Sequence, residues 1–327
     1  MSTPEFRSPL ADRLKAFFEM RIALQRESKS QKKLFTYLDR FLTKALKPGH
    51  PITREVVELW IKSMEALNTG TKINRISIMR QFCRYLIQFD PRTYLIHEDI
   101  FPRRIRLAPY IYSHAQVQKI MKVTRERQSP VPLQPELQVT LIGLLYATGI
   151  RIGEALKLTL QDVDFQERVL LIRQTKFRKT RYVPISDSTV KALESFLKRR
   201  KQAGHSVVPT APVFVSRTGH AYCVSGLHMC FLPILRKLGM RGPKGTRGPR
   251  IHDFRHTFAV QRLLAWYRSG VSLQSKLPLL TTYLGHTTVT GTEVYLQATA
   301  ELLEEANKKF HKNCAIPIRM ETEHVQS

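Results

Sequence analysis

The chain's 327 residues, 43% of them hydrophobic, exceed what one core usually organises, so two domains are expected, each able to bury its own core. The balance of 53 Lys and Arg against 26 Asp and Glu leaves a net charge of +27 spread along the whole length, which points to a protein lying along DNA or RNA with both domains. No apolar run reaches spanning length, and no lysine-faced amphipathic helix with an aromatic underside stands out, which sets a membrane partner aside.

The N-terminus is polar and charged through Arg21, without a secretory signal pattern, and a cytoplasmic location is expected. Residues 1–100 read as a helical DNA-binding domain with almost no strand signal. Residues 10–26 form a first helix, and Leu34, Leu38, Phe41 and Leu42 share one face of a second. Thr53 is placed as the N-cap of a third helix running to Leu67, with Glu55 in its first turn and Val56, Trp60, Met64 and Leu67 on the buried side. Ile76, Met79, Phe82 and Leu86 mark a fourth. Lys72, Arg75, Arg80 and Arg84 flank that stripe as a basic face suited to a DNA groove, although a solvated face is the plainer reading of such charges. Between residues 101 and 112, Pro102 and Pro109 restrict helix continuation while Arg103, Arg104 and Arg106 favour phosphate, which suggests a linker crossing a DNA backbone.

A second domain is expected over residues 113–312, followed by a tail over 313–327. Ser113 caps a helix to about residue 127, a second helix covers 135–147, and a turn at Gly149 precedes the helix bearing Arg151 and Glu154. Residues 169–172 and 182–185 are apolar runs separated by a basic stretch, the pattern of a hairpin with a basic tip, and 213–215 is a candidate third strand. Helices resume over 188–200, 225–238 with a kink at Pro233, 254–268, 277–284 and 301–312. Residues 236–250 hold six basic residues, four glycines and two prolines without an acid. They form either a flexible surface loop or a phosphate-tracking one using Lys244, Arg247 and Arg250. His220, Cys223, His228 and Cys230 cluster, but their spacing is not that of a zinc knuckle and the chain has no CxxC, so no metal is expected and the cysteines read as reduced thiols.

Three short motifs carry the chemistry. Arg151 lies in Thr148-Gly149-Ile150-Arg151-Ile152-Gly153-Glu154, His252-Asp253-Phe254-Arg255 follows, and Leu284-Gly285-His286 precedes Tyr295 by nine residues from the histidine. A tyrosine phenolate can attack phosphorus and leave again as an aryl phosphate, while guanidinium forks match phosphate oxygens two at a time. In this order, with a lysine-bearing hairpin between the first two, the motifs resemble those of the tyrosine recombinases, the phage integrase and Xer-like family. The resemblance is strongest over 113–310 and rests on helical pattern alone in the first domain.

The resemblance implies a mainly α fold with a small antiparallel β-sheet, made of a helical core-binding domain and a tyrosine-recombinase catalytic domain. It implies duplex DNA as substrate, a tetramer of recombinase protomers on two sites, and no cofactor. Tyr295 would form a covalent 3′-phosphotyrosine, with Arg151, Arg255 and His286 holding the non-bridging oxygens. His252 would take the tyrosine proton or hydrogen-bond the phosphate. Lys176, which shares its turn with Arg173, Arg178, Lys179 and Arg181, matches the acid that protonates the leaving 5′ oxygen. Glu154, three residues after Arg151, would orient that arginine; His256 reads as structural. The stretch 265–278 is longer than the short turn common in Xer proteins, a feature associated with mobile-element recombinases, so integration, excision or transposition is expected. A topoisomerase or telomere resolvase using the same site, and a DNA-binding accessory protein with idle chemistry, are the other readings.

Overall fold

The computed structural model describes residues 4–24, 29–102, 108–173 and 180–285. Arg103, Arg104, Arg106, Lys176, His286, Tyr295, the helix expected over 301–312 and the tail lie outside the described residues. The chain divides into two compact units, Met1–Leu107 and Ala108–Ser327.

The first unit is built from helices α1 (Ala11–Ala23), α2 (Lys29–Ala45), α3 (Arg54–Lys62) and α4 (Thr69–Leu86). Their apolar stripes meet in a core rich in aromatics, with Phe17, Phe18, Phe35, Trp60 and Phe82 all buried. The Phe18 and Phe35 rings meet edge to face at 5.1 Å, a geometry their quadrupoles favour. The chain before α1 is anchored by the Asp39 carboxylate, which accepts from the Ser8 amide at 2.9 Å. Helix α3 stops at Lys62, short of the expected Leu67. There the Ser63 hydroxyl donates to the Trp60 carbonyl at 2.7 Å, a local competitor for helical bonding, and three-residue turns carry the chain onward. Val57 is buried where Val56 was expected to be, and Val56 is half-buried. Thr53 occupies the N-cap position without a capping bond. Asn68, not foreseen, caps α4 by accepting from the Thr71 amide at 2.9 Å.

In the second unit Ser113 forms a full capping box with Gln116 at the start of α5 (His114–Arg125). Helix α6 (Leu133–Thr148) is buried on nearly all sides and ends at Gly149, whose φ of 62° is left-handed. A single turn follows, α7 (Ile152–Ala155). Strands β1 (Val163–Asp164), β2 (Val169–Ile172) and β3 (Arg181–Pro184) form an antiparallel sheet in that order, with Leu170 opposite Val183 and Leu171 opposite Tyr182. Leu170, Ile172 and Val183 face the core. The third strand is therefore β1, not 213–215. Val213 is buried, but its amide goes to the Leu158 carbonyl at 2.9 Å and Tyr222 donates to Phe214 at 2.8 Å, so this segment is core-packed loop.

Helices α8 (Asp187–Gln202), α9 (Val224–Lys237, containing Pro233), α10 (Asp253–Arg268) and α11 (Leu273–Leu284) complete the described residues. Helix α11 begins four residues before the expected 277, at the N-cap position of Ser272, and tolerates Pro278 in its second turn. The main core joins Leu141, Leu170, Phe196, Phe231 and Phe254. A smaller one gathers Phe258, Leu263, Leu277, Leu280 and Leu284 between α10 and α11, and Tyr283 packs against both. Among the described residues no helix is long and apolar enough to cross a membrane.

Candidate active site

The site begins where α6 stops. A Cβ at Gly149 would fall 2.5 Å from Phe258 Cδ1, so both the left-handed turn and the close approach of α10 require glycine. The chain then reverses into Arg151, which is the N-cap residue of α7 rather than a residue within a helix. Glu154 is bonded to it in a capping arrangement, not along a helix face: one carboxylate oxygen accepts from the Arg151 amide at 3.0 Å and the other from its guanidinium at 2.9 Å.

Arg255 lies in the first turn of α10 and is buried. That end of the helix is fixed by Tyr112, whose ring stacks on Phe254 at 4.6 Å and whose hydroxyl donates to the Arg250 carbonyl at 3.1 Å. The Arg255 guanidinium donates to the Gly149 carbonyl at 3.0 Å and to that of Leu284 at 2.6 Å. Arg151 reaches the next carbonyl, Gly285, at 3.1 Å. The two arginines, 104 residues apart in sequence (255 less 151), thus converge on the C-terminal end of α11, where the helix dipole is negative. Gly285, the residue before His286, closes that helix with a φ of 65°.

Arg181 was not foreseen as part of this centre. It opens β3, donates from Nε to the Tyr283 carbonyl at 2.7 Å, and pairs with the Glu154 carboxylate at 2.8 and 3.3 Å. No local pattern marks it, because its partners lie 27 and 102 residues away. Burial alone would push the Glu154 carboxyl up, but the hydrogen bonds from Arg181 and Arg151 outweigh it and hold the group below the usual carboxylate range. Three guanidiniums against one ionised carboxylate leave the centre strongly cationic. Of Arg151 and Arg181, the former has the more open side chain, 32% exposed against 11%.

His252 directly precedes α10, and burial, then the Arg255 charge, pushes its imidazole below its ordinary pKa. His256, one turn on, meets it edge to face at 4.9 Å and is pushed down to about 4, again by burial first and then by His252. Both rings are therefore neutral near pH 7, the state in which a histidine can receive a proton. Buried Asp253 braces this end by accepting from the Arg250 amide and guanidinium, both at 2.8 Å.

The expected DNA-contacting residues differ in how they are held. On α4, Arg84 is exposed, whereas Lys72, Arg75 and Arg80 are half-buried. Arg75 lies over the Tyr37 ring at 4.1 Å, and Arg80 pairs with Glu98 at 3.0 Å. In the glycine-rich loop Lys244 and Arg247 point to solvent while Arg250 is held by Asp253. Arg241 folds that loop by donating to the carbonyls of Thr246, Gly248 and Pro249 at 2.8–2.9 Å. Cys223 serves as the N-cap of α9, its sulfur accepting from the Gly226 amide at 3.3 Å. Among the described residues no three His, Cys, Asp or Glu side chains gather as a metal-binding group.

A mainly helical unit with a three-stranded sheet thus gathers guanidiniums, whose forks suit phosphate oxygens, at one helix end. Residues 111–301 match the model of the phage integrase family, and the chain belongs to that family. It is 37% identical to a putative integrase/recombinase, y4rB, of Sinorhizobium fredii, over 80% of this chain and 84% of that one. It is 26% identical to the tyrosine recombinase XerC of Listeria monocytogenes, over 83% of this chain and 87% of that one. In fold it is similar to the Tn1549 transposon integrase solved with transposon right-end DNA, with a TM-score of 0.67 at 17% identity, covering 92% of this chain and 98% of that one. The XerH recombinase bound to its palindromic difH substrate gives a TM-score of 0.63 at 18% identity, covering 95% and 92%.

Proposed function

We propose that this chain is a site-specific recombinase that cuts and rejoins duplex DNA of a bacterial mobile element through a covalent 3′-phosphotyrosine. The observation that carries this reading is the meeting of Arg151 and Arg255 at the carbonyls of Leu284 and Gly285, immediately before His286. Guanidinium forks there suit the non-bridging oxygens of a scissile phosphate, with His286 as a further donor. The Tyr295 oxygen attacks phosphorus, its proton passes to neutral His252, and the bond from phosphorus to the 5′ oxygen breaks as Lys176 protonates that oxygen. Attack by a 5′ hydroxyl of the partner duplex reverses the step, so one ester bond is exchanged for another and no external energy source is needed.

A net charge of +27 suits a chain that follows a phosphate backbone. A relative named as an integrase/recombinase, 37% identical, supports the mobile-element reading. The enzyme would act in the cytoplasm as a tetramer of protomers synapsing two sites.

The test uses sheared genomic DNA of the source organism. The unsubstituted protein should leave denaturation-resistant adducts whose DNA, once sequenced, maps the cleavage site, and Tyr295→Phe should leave none. Any adduct formed by Tyr295→Phe refutes the nucleophile. Arg151→Ala should bind the mapped duplex and cut it at least 100-fold more slowly, roughly the loss of one transition-state donor pair.

A further inference from the structure

Three consecutive carbonyls at the end of α11 are each taken by a different arginine. Arg181 donates to the Tyr283 carbonyl at 2.7 Å, Arg255 to that of Leu284 at 2.6 Å and Arg151 to that of Gly285 at 3.1 Å. These arginines come from β3, from α10 and from the turn before α7, so three separate elements are registered against one helix end. Arg181 and Arg151 also share both oxygens of Glu154. The fit is close at this point: a Cβ on Gly285 would lie 3.0 Å from Arg181 Nη1 and 3.6 Å from Arg151 Nη1.

We propose that Arg181 is a positioning residue that sets the angle of the Arg151 clamp and the seat of α11, acting through Glu154 and the Tyr283 carbonyl; this rests on the reading of Arg151 and Arg255 as the phosphate clamp. All three of its nitrogens are occupied by these two partners, and its side chain is only 11% exposed. Its work is therefore internal. Glu154 bonded to Arg151 alone would still fix one oxygen on each of two Arg151 donors, but nothing on the far side of the carboxylate would stop it turning. Arg181 closes that side with a planar fork, which a lysine's single ammonium cannot reproduce at two oxygens and a carbonyl together. Because Arg181 opens β3, the same fork ties the position of that strand to that of the clamp.

The test compares single-turnover cleavage of a nicked duplex carrying the mapped site, with either its natural phosphate or an uncharged methylphosphonate at the scissile position. A methylphosphonate has no anionic charge to be matched, so it asks less of the guanidiniums. Arg181→Lys and Arg181→Gln should hold DNA within about threefold of the unsubstituted affinity. They should cut the natural phosphate on the order of 100-fold more slowly, the effect of a displacement near 1 Å. On the methylphosphonate the deficit should shrink at least tenfold relative to the unsubstituted protein. Glu154→Gln, which opens the same link from its other side, should show the same dependence on substrate, and combining it with Arg181→Lys should add little. If Arg181→Gln fails to fold, Arg181→Lys and Glu154→Gln carry the comparison. Equal deficits on both substrates, the mark of general structural damage, overturn the proposal, as does cleavage at the unsubstituted rate. If the unsubstituted protein forms no adduct on the natural phosphate, the recombinase reading itself falls.

Discussion

His256 should make the catalytic unit acid-labile by a calculable amount. Its imidazole, 17% exposed, has a pKa pushed down to about 4 by burial and then by His252, against 6.5 for an ordinary histidine. Folding thus favours the neutral ring. The stabilising contribution is complete above pH 6.5 and is lost as the pH falls towards the folded value near 4, because the unfolded chain takes up the proton first. A drop from 6.5 to about 4 corresponds to about 3 kcal/mol over that window. His256→Gln removes the titrating ring and should flatten the pH dependence by that amount, gaining relative stability below pH 5. Urea unfolding between pH 7.5 and 4.5 would measure it, followed by the fluorescence of Trp266 in α10 in a Trp60→Phe background so that only the second unit reports. Parallel curves for the two proteins would refute the argument. His252, shifted in the same direction by burial and Arg255, should contribute a slope of the same sign, which His252→Gln removes.

Gly149→Ala should destabilise the second unit by about 2–5 kcal/mol, summing left-handed strain of about 1–2 with overpacking of about 1–3 against the Phe258 ring. A thermal melt should show the fall, and a loss under about 0.5 kcal/mol would mean that the ring simply moves aside. Arg241→Ala removes the donor that holds three loop carbonyls, so trypsin should cut after Lys244 or Arg247 at least several times faster, while the cooperative melt of the unit moves little. An unchanged cleavage rate would show that the loop keeps its shape without the arginine.

What could be read from the sequence was whatever local chemistry decides. Ser113 with Gln116, Gly149 between an apolar helix and Arg151, and the apolar run over Val169–Ile172 each carry their structural reason within a few residues. Glu154 could be assigned because its partner is three residues away. The failures share the opposite property. Residues 213–215 look like a strand because they are apolar and buried, but strand identity depends on a neighbour, and theirs is a loop. The end of α3 was decided by one serine hydroxyl finding a carbonyl. Arg181 looked like one more cation on a crowded turn. Only the folded arrangement brings it to a carboxylate and to a carbonyl on α11.

Helix α10 belongs to two hydrophobic cores in succession. Phe254 is part of the large core, and Phe258 through Leu264 belong to the small one shared with α11. Arg255 stands at the hand-over, one residue past the first and three before the second. The helix is therefore an axle common to both packings, and a change of volume in either is passed to the same guanidinium. Substitutions on the two sides of that axle would not behave independently at Arg255.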